Sequence, residues 1–115
     1  MPSIVTRHEV ESILRRWQAG ELTHQQVFVW ANDRFASEQW GSEDEITNEV
    51  LAELDTLNMN LTTVDDIPHL LQVLALPNSQ VESAIALQQA YASTIDIQAR
   101  RVALATDTFY APFCR

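Results

Sequence analysis

The fold is decided first by residues 6–27, whose sequence is TRHEVESILRRWQAGELTHQQV. Thr6 and Glu9 have the spacing of a capping box, in which each side chain accepts a hydrogen bond from the other residue's backbone amide at a helix start. Thr23 and Gln26 repeat this signal, and Gly20 between them suits the left-handed position that ends a helix. Helical i, i+3, i+4, i+7 spacing relates the apolar residues Val10, Ile13, Leu14 and Trp17. The stretch therefore predicts two helices joined by a tight turn, an αα-hairpin.

The next segment predicts a long second helix and then a third one. The second helix is expected to run from His24 to about Ser37, with apolar residues over a wide arc. Ser42 and Glu45 have capping-box spacing after a glycine, so a third helix is predicted to open there. Its buried face is predicted to carry Ile46, Val50, Leu54 and Leu57.

The remainder of the chain predicts two more helices. A short, heavily buried helix is expected just after Asp65 and Asp66, where Pro68 suits the first helical turn. A longer helix is expected from about Ser79, with one apolar stripe of about six turns that reaches Val102. The aromatic tail, residues 109–113, is expected to fold back onto the bundle. No stretch alternates apolar and polar residues as strands do, so no sheet is predicted. The predicted fold is all-α: a compact bundle of about five helices that begins with an αα-hairpin and forms one helical domain over 1–115.

The charge of the chain is strongly unbalanced. Sixteen carboxylates face seven arginines and no lysine, which gives a net charge of −9. Eleven of the carboxylates lie between Phe35 and Ala99, where no arginine occurs. This balance argues against direct binding of nucleic acid or of an anionic membrane, because both require basic residues to neutralise phosphate. It favours a protein partner with a basic face, although a charge excess that only maintains solubility has the same composition.

The third predicted helix concentrates the negative charge on one face. Glu45, Glu49 and Glu53 are four residues apart and therefore stack along one side, and Asp44 and Asp55 lie further round. Like charges at this spacing destabilise a helix by about 0.2–0.5 kcal/mol per pair, so an uncompensated row suggests a use in binding. The alternative is a solvated acidic face. These five carboxylates are the predicted partner-binding residues, together with a sixth residue, Trp40, which is expected to be the most exposed tryptophan.

No catalytic or metal site is predicted. Asp65, Asp66 and His69 form the nearest approach to a metal or acid–base cluster, but a third or fourth ligand is not evident and helix capping explains the same aspartates. Cys114 has no neighbouring base that would activate it as a nucleophile. The chain has only two glycines and no glycine-rich phosphate loop. The sequence accordingly predicts a protein that is not an enzyme and holds no cofactor.

The sequence also carries an expectation about compartment and assembly. A lone cysteine, no secretory leader pattern and no long apolar run favour a reducing cytoplasm. Arg7, Arg15 and Arg16 are expected on the outer face of the first helix. A molecule that is basic at one end and acidic in the middle could also form homo-oligomers, although nothing in the pattern specifies how.

The opening hairpin has the pattern Leu14-x-x-Trp17-x-x-Gly20-x-Leu22-Thr23-x-x-x-Val27, followed later by Leu54-Asp55-x-Leu57. This pattern resembles the N-terminal half of small helical bacterial immunity proteins of the colicin D type. The resemblance implies a helical bundle that blocks a nuclease toxin by placing carboxylates in its basic RNA-binding cleft. It implies the same five carboxylates, from Asp44 to Asp55, as contacts.

Two functions are therefore expected from the sequence. The first is a non-enzymatic acidic helical protein that binds and inhibits a basic protein partner, such as a nuclease toxin. The alternative is a structural or regulatory helical interaction module, in which an apolar groove or the C-terminal aromatic residues carry the contact.

Overall fold

The computed structural model describes residues 3–35 and 37–115, and over these residues the chain forms six α-helices and one two-stranded parallel sheet. In chain order the elements are β1 (Ser3–Val5), α1 (Arg7–Gln18), α2 (His24–Phe35), β2 (Trp40–Ser42), α3 (Glu45–Asp55), α4 (Ile67–Leu74), α5 (Val81–Ser93) and α6 (Ile97–Leu104). The radius of gyration is 14.0 Å, close to the value of about 13 Å expected for a compact chain of this length. The prediction of a compact, mostly helical protein is confirmed.

The opening hairpin is confirmed in detail. The Thr6 hydroxyl accepts a hydrogen bond from the Glu9 amide at 3.1 Å, and the Glu9 carboxylate accepts one from the Thr6 amide at 3.4 Å. Thr23 and Gln26 make the same reciprocal pair at 3.1 and 2.9 Å. Gly20 has a φ of +81°, the left-handed conformation that only glycine adopts without steric cost. Helix α2 ends at Phe35 instead of about Ser37, and the predicted residue between them, Ala36, lies outside the described residues.

The core is organised around α3, which contacts α1, α2, α4 and α5. All four apolar residues predicted for its inner face are fully buried: Ile46, Val50, Leu54 and Leu57. Trp17 of α1 is also buried, as predicted, and its indole N–H donates to Nδ1 of His24 at 3.0 Å. The outer side of α3, which carries the acidic residues, is thereby turned away from the core.

The prediction that the chain has no sheet is wrong. β1 and β2 pair in parallel, with Ser3 opposite Trp40 and Val5 opposite Ser42. Each strand has only three residues, which is too short for the alternation that identifies a strand in sequence. Because Ser42 belongs to β2, the predicted capping box at Ser42 is wrong as well. Asp44 caps α3 instead, and its carboxylate accepts from the Thr47 amide and hydroxyl, both at 2.8 Å.

The prediction of one long last helix is also wrong, because this segment forms two helices, α5 and α6. The hydroxyls of Ser93 and Thr94 donate to the carbonyls of Ala90 and Tyr91, both at 2.7 Å. Such bonds compete with continuation of a helix. Asp96 then starts α6, since its carboxylate accepts from the Ala99 amide at 3.0 Å. Over residues 3–35 and 37–115, six α-helices therefore replace the predicted bundle of about five.

Helix α6 contributes no fully buried residue to the core, although Leu104 packs partly buried against it, and a polar contact also attaches this helix. The guanidinium of Arg100 binds both carboxylate oxygens of Asp66, at 2.6 and 2.7 Å, and also donates to the Leu61 carbonyl at 2.9 Å. The Tyr91 hydroxyl and the Thr63 amide donate to the same carboxylate. Asp66 therefore joins the loop before α4 to both C-terminal helices.

The aromatic tail folds back onto the bundle, as predicted. Tyr110 is fully buried, and its hydroxyl donates to the Thr62 carbonyl at 2.5 Å. Burial raises the pKa of Tyr110, and the nearby charge of Asp107 raises it further. The phenol is therefore a hydrogen-bond donor at neutral pH. Tyr110 of the tail and Arg100 of α6 thus donate to adjacent carbonyls, those of Thr62 and Leu61, in the loop before α4.

Replacing Asp66 with asparagine tests this attachment. Asp66→Asn leaves the Arg100 guanidinium without its counter-ion in a half-buried site, and we expect a loss of about 3 kcal/mol in the free energy of unfolding. Urea denaturation followed by far-UV circular dichroism measures it. Asp65→Asn makes the same chemical change at the exposed neighbouring position and should change stability by less than about 0.5 kcal/mol. Equal effects of the two substitutions would contradict the role given to Asp66.

Candidate protein-binding surface

Two of the five predicted carboxylates, Asp44 and Asp55, are engaged within the fold. Asp44 caps α3 and forms an ion pair with Arg7, with 2.7 Å between Nη2 and Oδ2. Burial opposes ionisation of Asp44, but its bonds to Thr47 and Arg7 outweigh burial and hold its pKa below the usual value. Asp55 accepts a hydrogen bond from the Asn32 side-chain amide at 2.9 Å. Both residues therefore contribute to the packing of α3 against its neighbours.

The other three carboxylates form what we call the acidic row, which consists of Glu45, Glu49 and Glu53. Among the described residues, no arginine or histidine lies within 4.0 Å of any of these carboxylates. Glu45 and Glu49 line an open depression of about 380 Å³, together with Ser42, Asp44 and Asn48. This depression is polar and carries negative charge, so it suits the head groups of basic side chains.

Glu53, at the end of the acidic row, has a different environment from the other two. Its side chain is half-buried, and the nearest polar partner is the Asn60 side-chain amide at 3.5 Å. Burial raises the pKa of Glu53, and the charges of Asp66 and Glu49 raise it further, whereas the bond from Asn60 offsets only part of this. A carboxylate that is costly to ionise and lies in a concave surface is a candidate binding residue.

A groove of about 370 Å³ adjoins Glu53. Its apolar lining comes from the loop after α3, the junction of α5 and α6, and the tail: Met59, Leu61, Ala92, Ile95, Ile97 and Phe113. Leu61 has a φ of +54°, which is uncommon for a residue with a side chain. Sequence reasoning missed the groove because its walls come from segments far apart in the chain.

Trp40, the sixth predicted binding residue, is half-buried in β2. The Arg34 guanidinium lies over its ring at 4.8 Å and over the ring of Trp30 at 4.7 Å. Trp30 of α2 is also half-buried. The two indoles therefore hold one arginine between them, and the binding role of Trp40 stays a prediction.

The cluster of Asp65, Asp66 and His69 is divided by the fold. Asp66 binds Arg100, Asp65 is exposed, and His69 stacks on Tyr91 with ring centroids 3.9 Å apart. Burial lowers the pKa of His69, although the charge of Asp66 partly opposes this. Within residues 3–35 and 37–115, no group of three or more His, Cys, Asp or Glu side chains is arranged to hold a metal ion.

No protein-family model matches the chain, and neither the curated proteins nor the solved structures include a significant match. The resemblance to colicin D-type immunity proteins therefore stays a prediction. In the described part of the chain, none of the helices combines the length and the apolar character needed to cross a bilayer.

The environment of Glu53 predicts a stability that depends on pH. Its pKa is higher in the folded protein than the ordinary value of 4.5, so its charge destabilises the fold at neutral pH. This penalty disappears as the pH falls through the folded pKa towards 4.5, because the folded state then holds the proton. We expect Glu53→Gln to raise the Tm at pH 7 and to have little effect on the Tm below about pH 4.

Thermal unfolding between pH 3 and 8 provides the measurement. Glu82→Gln, at an exposed position in the first turn of α5, removes the same charge and serves as the control. A Glu53→Gln protein that is less stable than the wild type at pH 7 would show that the carboxylate contributes to folding instead of opposing it.

Proposed function

We propose that the protein is a non-enzymatic binding protein that uses the acidic row to bind a basic protein partner. The observation that carries this proposal is the division among the carboxylates. Asp44 and Asp66 each pair with an arginine, and Asp55 accepts a hydrogen bond from Asn32. Among the described residues, the acidic row has no cationic partner, and its side-chain hydrogen bond is the 3.5 Å contact from the Asn60 amide to Glu53. A row of like charges along one helix has a folding cost, and contact with a basic partner would remove it.

The charge of the whole molecule supports the same proposal. A net charge of −9 on a chain of 115 residues produces a negative potential that attracts a basic surface over a distance of about one Debye length, 8–10 Å at physiological salt. Such attraction increases the rate of association and selects partners by charge. Binding should consequently weaken as the salt concentration rises.

The partner that fits this chemistry best is a protein with a basic cleft, such as a nuclease. Residues four positions apart on a helix are separated by about 6 Å along its axis. The acidic row thus presents negative charges at regular intervals, as a nucleic-acid strand does, and this suits a cleft that normally binds phosphate. Inhibition of a nuclease toxin is also what the resemblance of the opening hairpin implies.

The alternative function, an interaction module that uses apolar contacts, is favoured by one observation. Phe113 and Met59 are partly exposed and line the groove next to Glu53. Tyr110, however, is fully buried and serves the fold. Among the C-terminal aromatic residues, Tyr110 therefore belongs to the core and Phe113 to the surface. Because Glu53 belongs to both the acidic row and the groove, the two form one continuous candidate surface.

Charge reversal tests the proposed function. We expect Glu45→Lys/Glu49→Lys to weaken binding of the basic partner by roughly a hundredfold, because two attractive contacts become repulsive. The partner is obtained by affinity capture from the native host at low salt and elution with rising salt. The affinity of the purified partner is then measured by calorimetry, and its nuclease activity is assayed with and without this protein.

The control variant, Glu21→Lys/Glu82→Lys, makes the same change in net charge at two exposed positions outside the acidic row. It should retain most of the affinity. A similar loss of affinity in both variants would show that binding depends on net charge alone. Full affinity of the Glu45→Lys/Glu49→Lys protein would show that the acidic row is not the binding surface.

A further inference from the structure

The groove beside Glu53 combines an apolar wall with a single unpaired carboxylate. Met59, Ile97 and Phe113 remain 56%, 38% and 37% exposed, although each belongs to its lining. The groove volume of about 370 Å³ lies within the range of about 300–1,000 Å³ typical of ligand sites. Exposed apolar side chains grouped in a concave surface are typical of binding grooves.

The charges that face the groove define which head group it favours. Glu53 and Arg101 both line it, but they do not form an ion pair. The charges that influence Glu53 are those of Asp66 and Glu49, both negative. Glu53 is thus a half-buried carboxylate for which a cation is the complementary group, whereas Arg101 is repulsive to a cation that enters beside it.

The groove is also preformed. The carbonyl of Leu61, a wall residue in an uncommon left-handed conformation, is held by Arg100 at 2.9 Å. The carbonyl of the next residue, Thr62, is held by the Tyr110 hydroxyl. Unusual backbone conformations persist where surrounding contacts maintain them, and such positions are enriched at binding sites. A rigid wall reduces the entropy lost when a ligand binds.

We infer that this groove receives a basic side chain of the protein partner, an arginine or a lysine, whose aliphatic stem lies on the apolar wall and whose cation pairs with Glu53. This inference rests on the proposed function and deepens it, because it identifies which chemical group of a basic partner the surface recognises. Arginine and lysine fit both halves of the groove, since each carries an apolar stem that ends in a cation. Glu45 and Glu49 then contact neighbouring basic residues in the open depression, while Glu53 anchors one side chain.

A titration with small mimics of these side chains tests the groove without the partner. The probes are n-butylguanidinium and n-pentylammonium, and the matched neutral probe is 1-pentanol. Amide chemical shifts of the ¹⁵N-labelled full chain are followed by NMR. We expect saturable shifts at Asn60, Leu61 and Ile97 with a Kd in the millimolar range for the cations, and binding about tenfold weaker for the alcohol.

Two substitutions in the groove should act in opposite directions. Glu53→Gln should weaken binding of both cations by about tenfold and leave binding of 1-pentanol unchanged. Arg101→Gln should strengthen binding of the cations, because it removes a like charge from the same groove. Glu82→Gln, outside the groove, should have no effect, and a circular dichroism spectrum identical to that of the wild type shows that each variant is folded.

The inference is overturned if the cations cause no saturable shifts in the groove, if Glu53→Gln binds them as tightly as the wild type, or if 1-pentanol binds as well as the cations. This failure differs from failure of the proposed function. If charge reversal at Glu45 and Glu49 still abolishes partner binding while the titration fails, the acidic row binds the partner without this anchor. If the titration succeeds and no basic partner binds, the groove is a site for amphipathic cations but the protein-binding proposal fails.

Discussion

The carboxylate of Asp66 is the interaction that joins both C-terminal helices to the loop before α4. It is only 3% exposed and receives hydrogen bonds from Arg100, Tyr91 and the Thr63 amide. Burial alone would raise the pKa of Asp66, but these bonds outweigh burial and lower it, so the group is ionised at neutral pH. Because α6 contributes no fully buried residue and Leu104 packs only partly buried against the core, this ion pair is a main attachment of α6. Arg100 also donates a hydrogen bond to the Leu61 carbonyl, so the residue that pairs with Asp66 also positions one wall of the groove.

The carboxylates of α3 and its cap, together with Asp66, thus fall into two groups with different physical roles. Asp44, Asp55 and Asp66 accept hydrogen bonds that cap helices or join them, and arginines compensate the charges of Asp44 and Asp66. The acidic row is uncompensated, and at Glu53 the fold even penalises the charge. A surface that opposes stability in the free protein can favour binding, because a basic partner removes the repulsion that the fold tolerates. Net charge alone does not identify the candidate surface, because it counts both groups of carboxylates equally.

Local interactions with a characteristic residue spacing could be predicted at the opening hairpin, whereas contacts between distant segments could not. The capping box at Thr6 and the left-handed position at Gly20 involve residues within one turn, so their spacing identifies them. The sheet pairs two three-residue strands from segments far apart, and neither is long enough to show a pattern. The break after Ser93 depends on hydroxyl groups that bind the preceding turn, which an apolar stripe does not reveal. The ion pair between Asp66 and Arg100 could not be predicted either, because Arg100 lies on a different helix, 34 residues further along the chain.

The sequence by itself determined the helical class, the opening hairpin, the inner face of α3 and the alignment of Glu45, Glu49 and Glu53, because each follows from helical periodicity and neighbouring caps. Only the tertiary structure decided which carboxylates are neutralised, since ion pairing depends on residues brought together by packing. It also decided that Glu53 lies beside an apolar groove built from the loop after α3, the junction of α5 and α6, and the tail. Helical periodicity is a property of one element, whereas ion pairing and the concave shape of a surface arise from contacts between elements. The pairing of charges and the shape of the surface are what distinguish a solvated acidic face from a candidate binding surface.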